Sequence, residues 1–254
     1  MSEAKQNEQQ VNIPRRSFVQ KTATTIAGIS IAPGILLNQV AQAEVTGPAS
    51  SKNRWGMLID TNKCASGCND CVSACNEENG IYSNDRPATD AQWIRKVKLR
   101  DINTKHVVSL PMMCQHCEHP PCVDVCPTGA SMKREDGIVL VDKHTCIGCR
   151  YCMMACPYKA RSFIHEEVEN QKEWAPRGKG TVESCTLCVH RIDKDGKDAM
   201  PACAEACNAA EHGAFIFGDL KDPESNISKA LVKHGGKQIR ADLQLNTGIR
   251  YQGI

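Results

Sequence analysis

Cys146-Ile-Gly-Cys149-Arg-Tyr-Cys152-Met-Met-Ala-Cys156-Pro157 sets three cysteines at intervals of three, then a fourth, then a proline. A cubane iron–sulfur cluster has four iron corners, and a short loop wraps three of them before the chain must leave. In a paired site the fourth cysteine therefore ligates the neighbouring cluster. Cys156 opens that exit, and Pro157, with fixed φ and no N–H, suits a chain that stops being helical there. A zinc knuckle needs only two Cys-x-x-Cys pairs, which leaves the third cysteine and the proline surplus. The stretch reads as half of a paired iron–sulfur site.

The pattern recurs on either side. Upstream, Cys114-x2-Cys117-x4-Cys122-x3-Cys126-Pro127 carries Pro120-Pro121 in its widened gap, a stiffened version of the same loop. Between these two groups, residues 130–133 and 138–141 flank Asp136-Gly137, a hairpin signal, and together they form an internal repeat. The first group, Cys64-x3-Cys68-x2-Cys71-x3-Cys75, has one extra residue in its first gap, which alters the loop's shape more than its ligation. The fourth, Cys185-x2-Cys188, fourteen residues, then Cys203-x3-Cys207, ends on Asn208 rather than proline. Taken alone, its two half-sites also fit zinc.

Sixteen cysteines in four groups of four leave none over in 254 residues. Aromatic residues make up only 4%, so a conventional core is poor in large side chains. Four clusters can nucleate the fold instead, and their loss should abolish it. Formal net charge is +2, but residues 1–43 carry Lys5, Arg15, Arg16 and Lys21 against Glu3 and Glu8. The remainder holds 27 basic and 27 acidic residues. Four thiolates on an oxidised cubane leave about −2 per site, so the loaded chain is acidic by about −8. No basic stripe or aromatic platform points to nucleic acid.

Residues 1–43 read as a twin-arginine signal peptide: Pro14-Arg15-Arg16-Ser17-Phe18-Val19-Gln20-Lys21, a weakly apolar run over 22–37, then Ala41-Gln42-Ala43. Gly28, Pro33 and Gly34 interrupt that run, which argues against an uncleaved anchor helix. Export in the folded state suits clusters built inside, since unfolded thiols in an oxidising compartment tend to pair. The repeated metal spacing argues against a disulfide scaffold. Residues 44–53 read as a linker, and 55–59, 106–110 and 214–217 as strands. Residues 81–91 look like a surface loop, 166–179 an exposed charged stretch, and 223–233 a helix with proline in its first turn. From 235 the tail looks polar and ordered only against a partner.

Other candidates have plainer readings. His116, His119, His144 and His190 flank cysteine motifs, but each group already has four thiolates, so loop packing or a hydrogen bond toward sulfur is expected. Met112, Met113, Met153 and Met154 fill irregular space, and Tyr151 and Tyr158 shield the clusters. Lys63, Lys143, Arg150, Lys159 and Arg161 compensate cluster charge, form a docking face or are ordinary solvated charge. The chain has no Cys-x-x-Cys-His, nucleophile elbow, Walker loop or dinucleotide fingerprint, which favours electron carriage over substrate chemistry.

The four groups in this order resemble the four-cluster ferredoxin subunits that accompany molybdopterin oxidoreductases and quinone-coupled membrane complexes. Cys114-Gln-His-Cys-Glu-His-Pro-Pro-Cys122, His144 to Arg161 and Gly178 to Arg191 are most similar to the periplasmic iron–sulfur subunits of Dsr transmembrane complexes, which serve dissimilatory sulfur metabolism. The resemblance implies four [4Fe-4S] clusters. It implies ligand sets Cys114, Cys117, Cys122 with Cys156; Cys146, Cys149, Cys152 with Cys126; Cys64, Cys68, Cys71 with Cys207; and Cys185, Cys188, Cys203 with Cys75.

The expected protein is α+β, two interleaved bis-cluster modules over 54–220 (groups one and four outer; two and three, about 106–165, inner), with a C-terminal helix and tail over 221–254. The resemblance also implies a place at the periplasmic face of the cytoplasmic membrane, beside a quinone-interacting membrane subunit and a cytochrome c or other redox subunit. The runner-up is the electron-transfer subunit of an exported polysulfide or tetrathionate reductase, or of a periplasmic hydrogenase. A zinc- or disulfide-stapled binding protein is the alternative of a different class.

Overall fold

Trp55-Gly-Met-Leu-Ile-Asp60 is apolar on consecutive positions and too short for a stable helix, the pattern of a strand covered on both faces. In the computed structural model, which describes residues 49–169 and 171–254, it forms β1 (Trp55–Asp60), and Trp55, Met57, Leu58 and Ile59 are all buried. Residues 1–43, read above as a signal peptide, lie outside the described residues, as do residues 44–48 of the stretch read as a linker. β8 (Phe215–Asp219) pairs antiparallel with one edge of β1, and β9 (Ile249–Gln252) pairs parallel with the other. Trp55 stacks on Phe217 across the first pairing, with ring centroids 5.5 Å apart.

Two expectations for the C-terminal region change. The helix α6 is Asn226–His234, and Pro223 lies upstream of it. Ser225 is the N-cap, its hydroxyl accepting the Ser228 N–H, so proline is displaced from the first turn. The polar tail is not left waiting for a partner. Ile249 and Tyr251, two apart and fully buried, put one face of β9 into the core. The Tyr251 hydroxyl donates to the Pro111 carbonyl at 3.0 Å and accepts from Gln115 Nε2 at 3.0 Å.

The other elements are small. Helix α1 (Asp70–Asn79) follows the first cysteine loop. β2 (Ile94–Arg100) and β3 (Val107–Met113) make a hairpin buried at its Ile94–Met113 end. β2 escapes a sequence reading because its four basic residues mask the apolar set Ile94, Val97 and Leu99. Then come α2 (Pro121–Asp124), β4 (Ser131–Lys133), β5 (Val139–Val141), α3 (Tyr151–Ala155), β6 (Ser162–Phe163), β7 (Val182–Glu183), α4 (Val189–Asp195) and α5 (Ala202–Ala209). β4–β5 is the hairpin around Asp136-Gly137, and β6 pairs with β7. The protein is therefore a mixed fold of short helices and small sheets. Its core mixes conventional side chains such as Trp93, Ile138 and Leu187 with cysteines of all four groups. Among the described residues no helix is long and apolar enough to cross a membrane.

Candidate metal centres

Residues four apart on a helix share a face, so Cys71 and Cys75 on α1, and Cys203 and Cys207 on α5, each form a row along the axis. The two helices pack on each other. One cavity at this contact is lined by Cys64, Cys68, Cys71 and Cys207. A second is lined by Cys75, Cys185, Cys188 and Cys203. A third, between β4–β5 and α3, is lined by Cys126, Cys146, Cys149 and Cys152. Cys114, Cys117, Cys122 and Cys156 form the fourth group: the Cys114 and Cys117 thiols both feel the charges of Cys122 and Cys156. Cys185 also feels Cys114, so the four sites follow one another through the molecule. Cys64, Cys68, Cys126, Cys146 and Cys149 are half-buried, all at the two terminal sites; the rest are buried.

All sixteen cysteines are free thiols, which removes the disulfide scaffold. A single zinc ion holds its sulfurs about 2.3 Å away, so four of them must sit within ~4 Å of one another. Among the described residues no three cysteine sulfurs lie mutually within 4.8 Å. Among those residues the one trio of possible ligands that close is Cys68, Asp70 and His212. Each cysteine set thus surrounds a space wider than one ion. Thiols that burial pushes up, Cys71 to about 11 and Cys114 and Cys117 to about 12, need a strong cationic centre to ionise. These residues fit a multi-iron cluster.

The loops also aim donors at sulfur, a lever on cluster potential. Backbone N–H groups of Ser131, Val182, Leu187 and Ala214 donate to the sulfurs of Cys126, Cys146, Cys185 and Cys207 at 3.3, 3.4, 3.4 and 3.4 Å. Burial raises Cys126, but donors from Ser131 and Thr128 together outweigh it and leave that thiol below its ordinary value. Gly148, at φ +69, brings the loop against the Gly180 carbonyl, which a side chain there would strike. In the first group the extra residue is absorbed as a turn, with the Cys68 N–H on the Ala65 carbonyl and Gly67 at φ +83.

Charged residues frame the sites. Glu78, near the end of α1, accepts from Arg191 and lies 2.7 Å from His190 Nε2, which ties α1 to α4. Arg191, despite some burial, and His190 hold the Glu78 carboxyl down to about 2. Arg177 makes a two-point, fully buried pair with Glu183 and caps the Gly80 carbonyl. The charged stretch 166–179 is therefore exposed only in part; Arg177 is core. Nothing in the sequence distinguishes that arginine from its neighbours.

The flanking residues divide among the readings open for them. His116 Nδ1 accepts the Val139 N–H at 3.1 Å, and burial holds the ring down to about 3, so it is neutral and its Nε2 carries the proton. Tyr158 is buried beside Cys117 and Cys156 and donates to the Ile239 carbonyl, whereas Tyr151 is 53% exposed. Met113 is buried, and Met154 stands in solvent. Arg150 lies 3.7 Å over the Phe163 ring. Arg161 is buried with Nη2 3.0 Å from the Cys122 sulfur, not solvated charge.

Two matches to the 4Fe-4S dicluster domain cover residues 57–130 and 105–219. The chain is 41% identical to the Hdr-like menaquinol oxidoreductase iron-sulfur subunit 1 of Archaeoglobus fulgidus, over 93% of this chain and 97% of that one. The chain belongs to the 4Fe-4S dicluster ferredoxin family. It is also 37% identical to a subunit of the tetrathionate reductase of Salmonella typhimurium, over 87% of this chain and 79% of that protein. With a subunit of the sulfite dehydrogenase of Allochromatium vinosum the identity is 40%, over 72% and 76%. As a dicluster ferredoxin with two such domains and sixteen cysteines, the protein carries four [4Fe-4S] clusters. When bound, each exchanges one electron without a proton; the chain's own residues set the potential through donors, charge and burial.

Proposed function

We propose that this dicluster ferredoxin is the electron-transfer subunit of a menaquinol-linked membrane complex of dissimilatory sulfur metabolism, exported folded by a twin-arginine signal to the periplasmic face. Its ligand sets are Cys64, Cys68, Cys71 with Cys207; Cys75 with Cys185, Cys188, Cys203; Cys114, Cys117, Cys122 with Cys156; and Cys126 with Cys146, Cys149, Cys152. These make an outer pair and an inner pair of interleaved sites within 54–220. The observation that carries the reading is the sequence of four thiol sites through one protein, buried in the middle and half-exposed at both ends. Electrons enter at one end and leave at the other, and no step needs a substrate pocket.

The full-length match to a menaquinol oxidoreductase subunit supports the quinone link, and the tetrathionate and sulfite relatives support the sulfur setting. Ile147, Tyr151 and Met154, all more than half exposed beside Cys146 and Cys149, supply an apolar face for a resident partner such as the quinone-interacting membrane subunit. The Cys64–Cys68 end is rimmed by Lys63, Lys96, Asp70 and His212, which suits a transient redox partner such as a cytochrome c. The tetrathionate relative favours a second reading, the same role beside an exported molybdopterin reductase.

The test is iron and acid-labile sulfide per chain on anaerobically purified protein, with low-temperature EPR during reduction. About sixteen of each, with interacting cubane signals, is the expected result. Zinc, or markedly less iron, overturns it. Reduction by a menaquinol analogue only in membranes holding the partner subunits then separates the quinone-linked reading from the second one.

A further inference from the structure

Arg161 follows β5 and α3 in the chain and reaches thiols of both the second and the third cysteine groups. Only 6% of its surface is exposed. Its Nη2 donates to Cys122 Sγ at 3.0 Å, while Nε and Nη1 have no hydrogen-bond partner. Among the described residues, no carboxylate therefore answers its charge. Burial works against the guanidinium, and the thiols of Cys122, Cys114 and Cys152 more than offset it. The same charge favours the Cys152 thiolate, against the burial that raises that thiol.

Cys122 and Cys152 belong to different ligand sets in the proposed pairing, on which this inference rests. A buried cation without an acid is costly unless an anion lies close. Here thiols of two ligand sets do, Cys122 in one and Cys152 in the other. We propose that Arg161 is a charge shared by the two inner clusters, raising the reduction potential of both and easing electron passage between them. Each reduction adds one negative charge beside the same guanidinium, which favours the reduced form. When one electron passes between the two, one cluster is oxidised and the other reduced by one. The total charge facing Arg161 stays constant, and no proton has to move.

Lys96, a cation facing thiols of the outer pair, acts on Cys64 and Cys71 of a single ligand set and so is not a charge shared across that pair. The arginines near it, Arg177 and Arg191, are bound to carboxylates. Arg161 is thus a positioning and potential-setting residue, not a ligand.

The experiment compares wild type, Arg161→Met and Arg161→Lys as complete, anaerobically purified chains. Iron and sulfide are counted, and all four midpoints are followed by EPR-monitored titration. In Arg161→Met, iron stays at about sixteen per chain while two midpoints fall. Each reduction equilibrium drops by about tenfold, which is about 59 mV for one electron. The other two midpoints stay in place. Arg161→Lys keeps the charge and recovers most of the shift. A shift of one midpoint alone, of all four together, or of none overturns the shared-charge role. So does iron loss in both variants, which makes Arg161 a structural support. Zinc or deficient iron in the wild type sinks the ligand reading itself, whereas full iron with unmoved midpoints sinks only the role of Arg161.

Discussion

The two pairs of sites use arginine in opposite ways. Around α1 and α5, Arg191 is held by Glu78 and Glu205, and Arg177 by Glu183, so the arginines there sit in ion pairs, and Cys64 and Cys71 face Lys96 instead. Around α2 and α3, Arg161 meets thiols and no acid. The scaffolds differ in step. Helices α1 and α5 run for 10 and 8 residues, and carry their last cysteine, Cys75 or Cys207, within the helix. Helices α2 and α3 run for 4 and 5 residues and stop before Cys126 and Cys156, where Pro127 and Pro157 forbid continuation.

The largest expected effect tests whether the four sites fail together. Chelation under reducing conditions should strip the half-buried terminal sites first, about eight of sixteen irons, before the buried middle sites. Far-UV circular dichroism should be kept through the first stage and lost in the second. Iron that leaves in a single step, with all structure, would show that the four sites are one cooperative unit.

Arg177→Met comes next. It leaves Glu183 buried without its partner, which should cost about 3–5 kcal/mol, read from the denaturant midpoint of the loaded protein. The cluster midpoints should move far less than in the Arg161 variants. Equal shifts would erase the contrast between the two pairs.

Tyr251→Phe removes the hydroxyl that joins β9 to the Pro111 carbonyl and Gln115, with an expected loss of about 1–2 kcal/mol. Because the chain entering β9 bridges to Cys117 through Thr247, that loss should appear as faster iron release from the inner pair. The smallest effect belongs to Ser225→Ala, about 1 kcal/mol from the lost cap of α6. It should leave iron content and all four midpoints unchanged, and serves as the control remote from both pairs.

Much of the site was legible because ligation imposes spacing. The three-residue intervals of Cys146, Cys149 and Cys152, and the prolines after Cys126 and Cys156, report local geometry that any cubane loop must satisfy. The hairpin at Asp136-Gly137 was legible for a similar reason, since its turn is built from neighbours in the chain. Strand β2 was hidden by its basic residues, and β9 by the short reach of the Ile249–Tyr251 alternation. Both depend on partners outside their own short stretch.

From sequence alone, then, come the number of thiol groups, the breaks after the inner ones and the kind of cofactor they fit, because these follow from contacts within a few residues. Only the tertiary structure decides which charges stay unanswered. Arg161, Arg177 and Arg191 are the same residue type in similar polar surroundings along the chain. Their roles diverge because a carboxylate 6 residues away pairs with Arg177 and one 113 residues away with Arg191, while none reaches Arg161 among the described residues. Electrostatic energy depends on distance in space, and no spacing rule in the sequence records it.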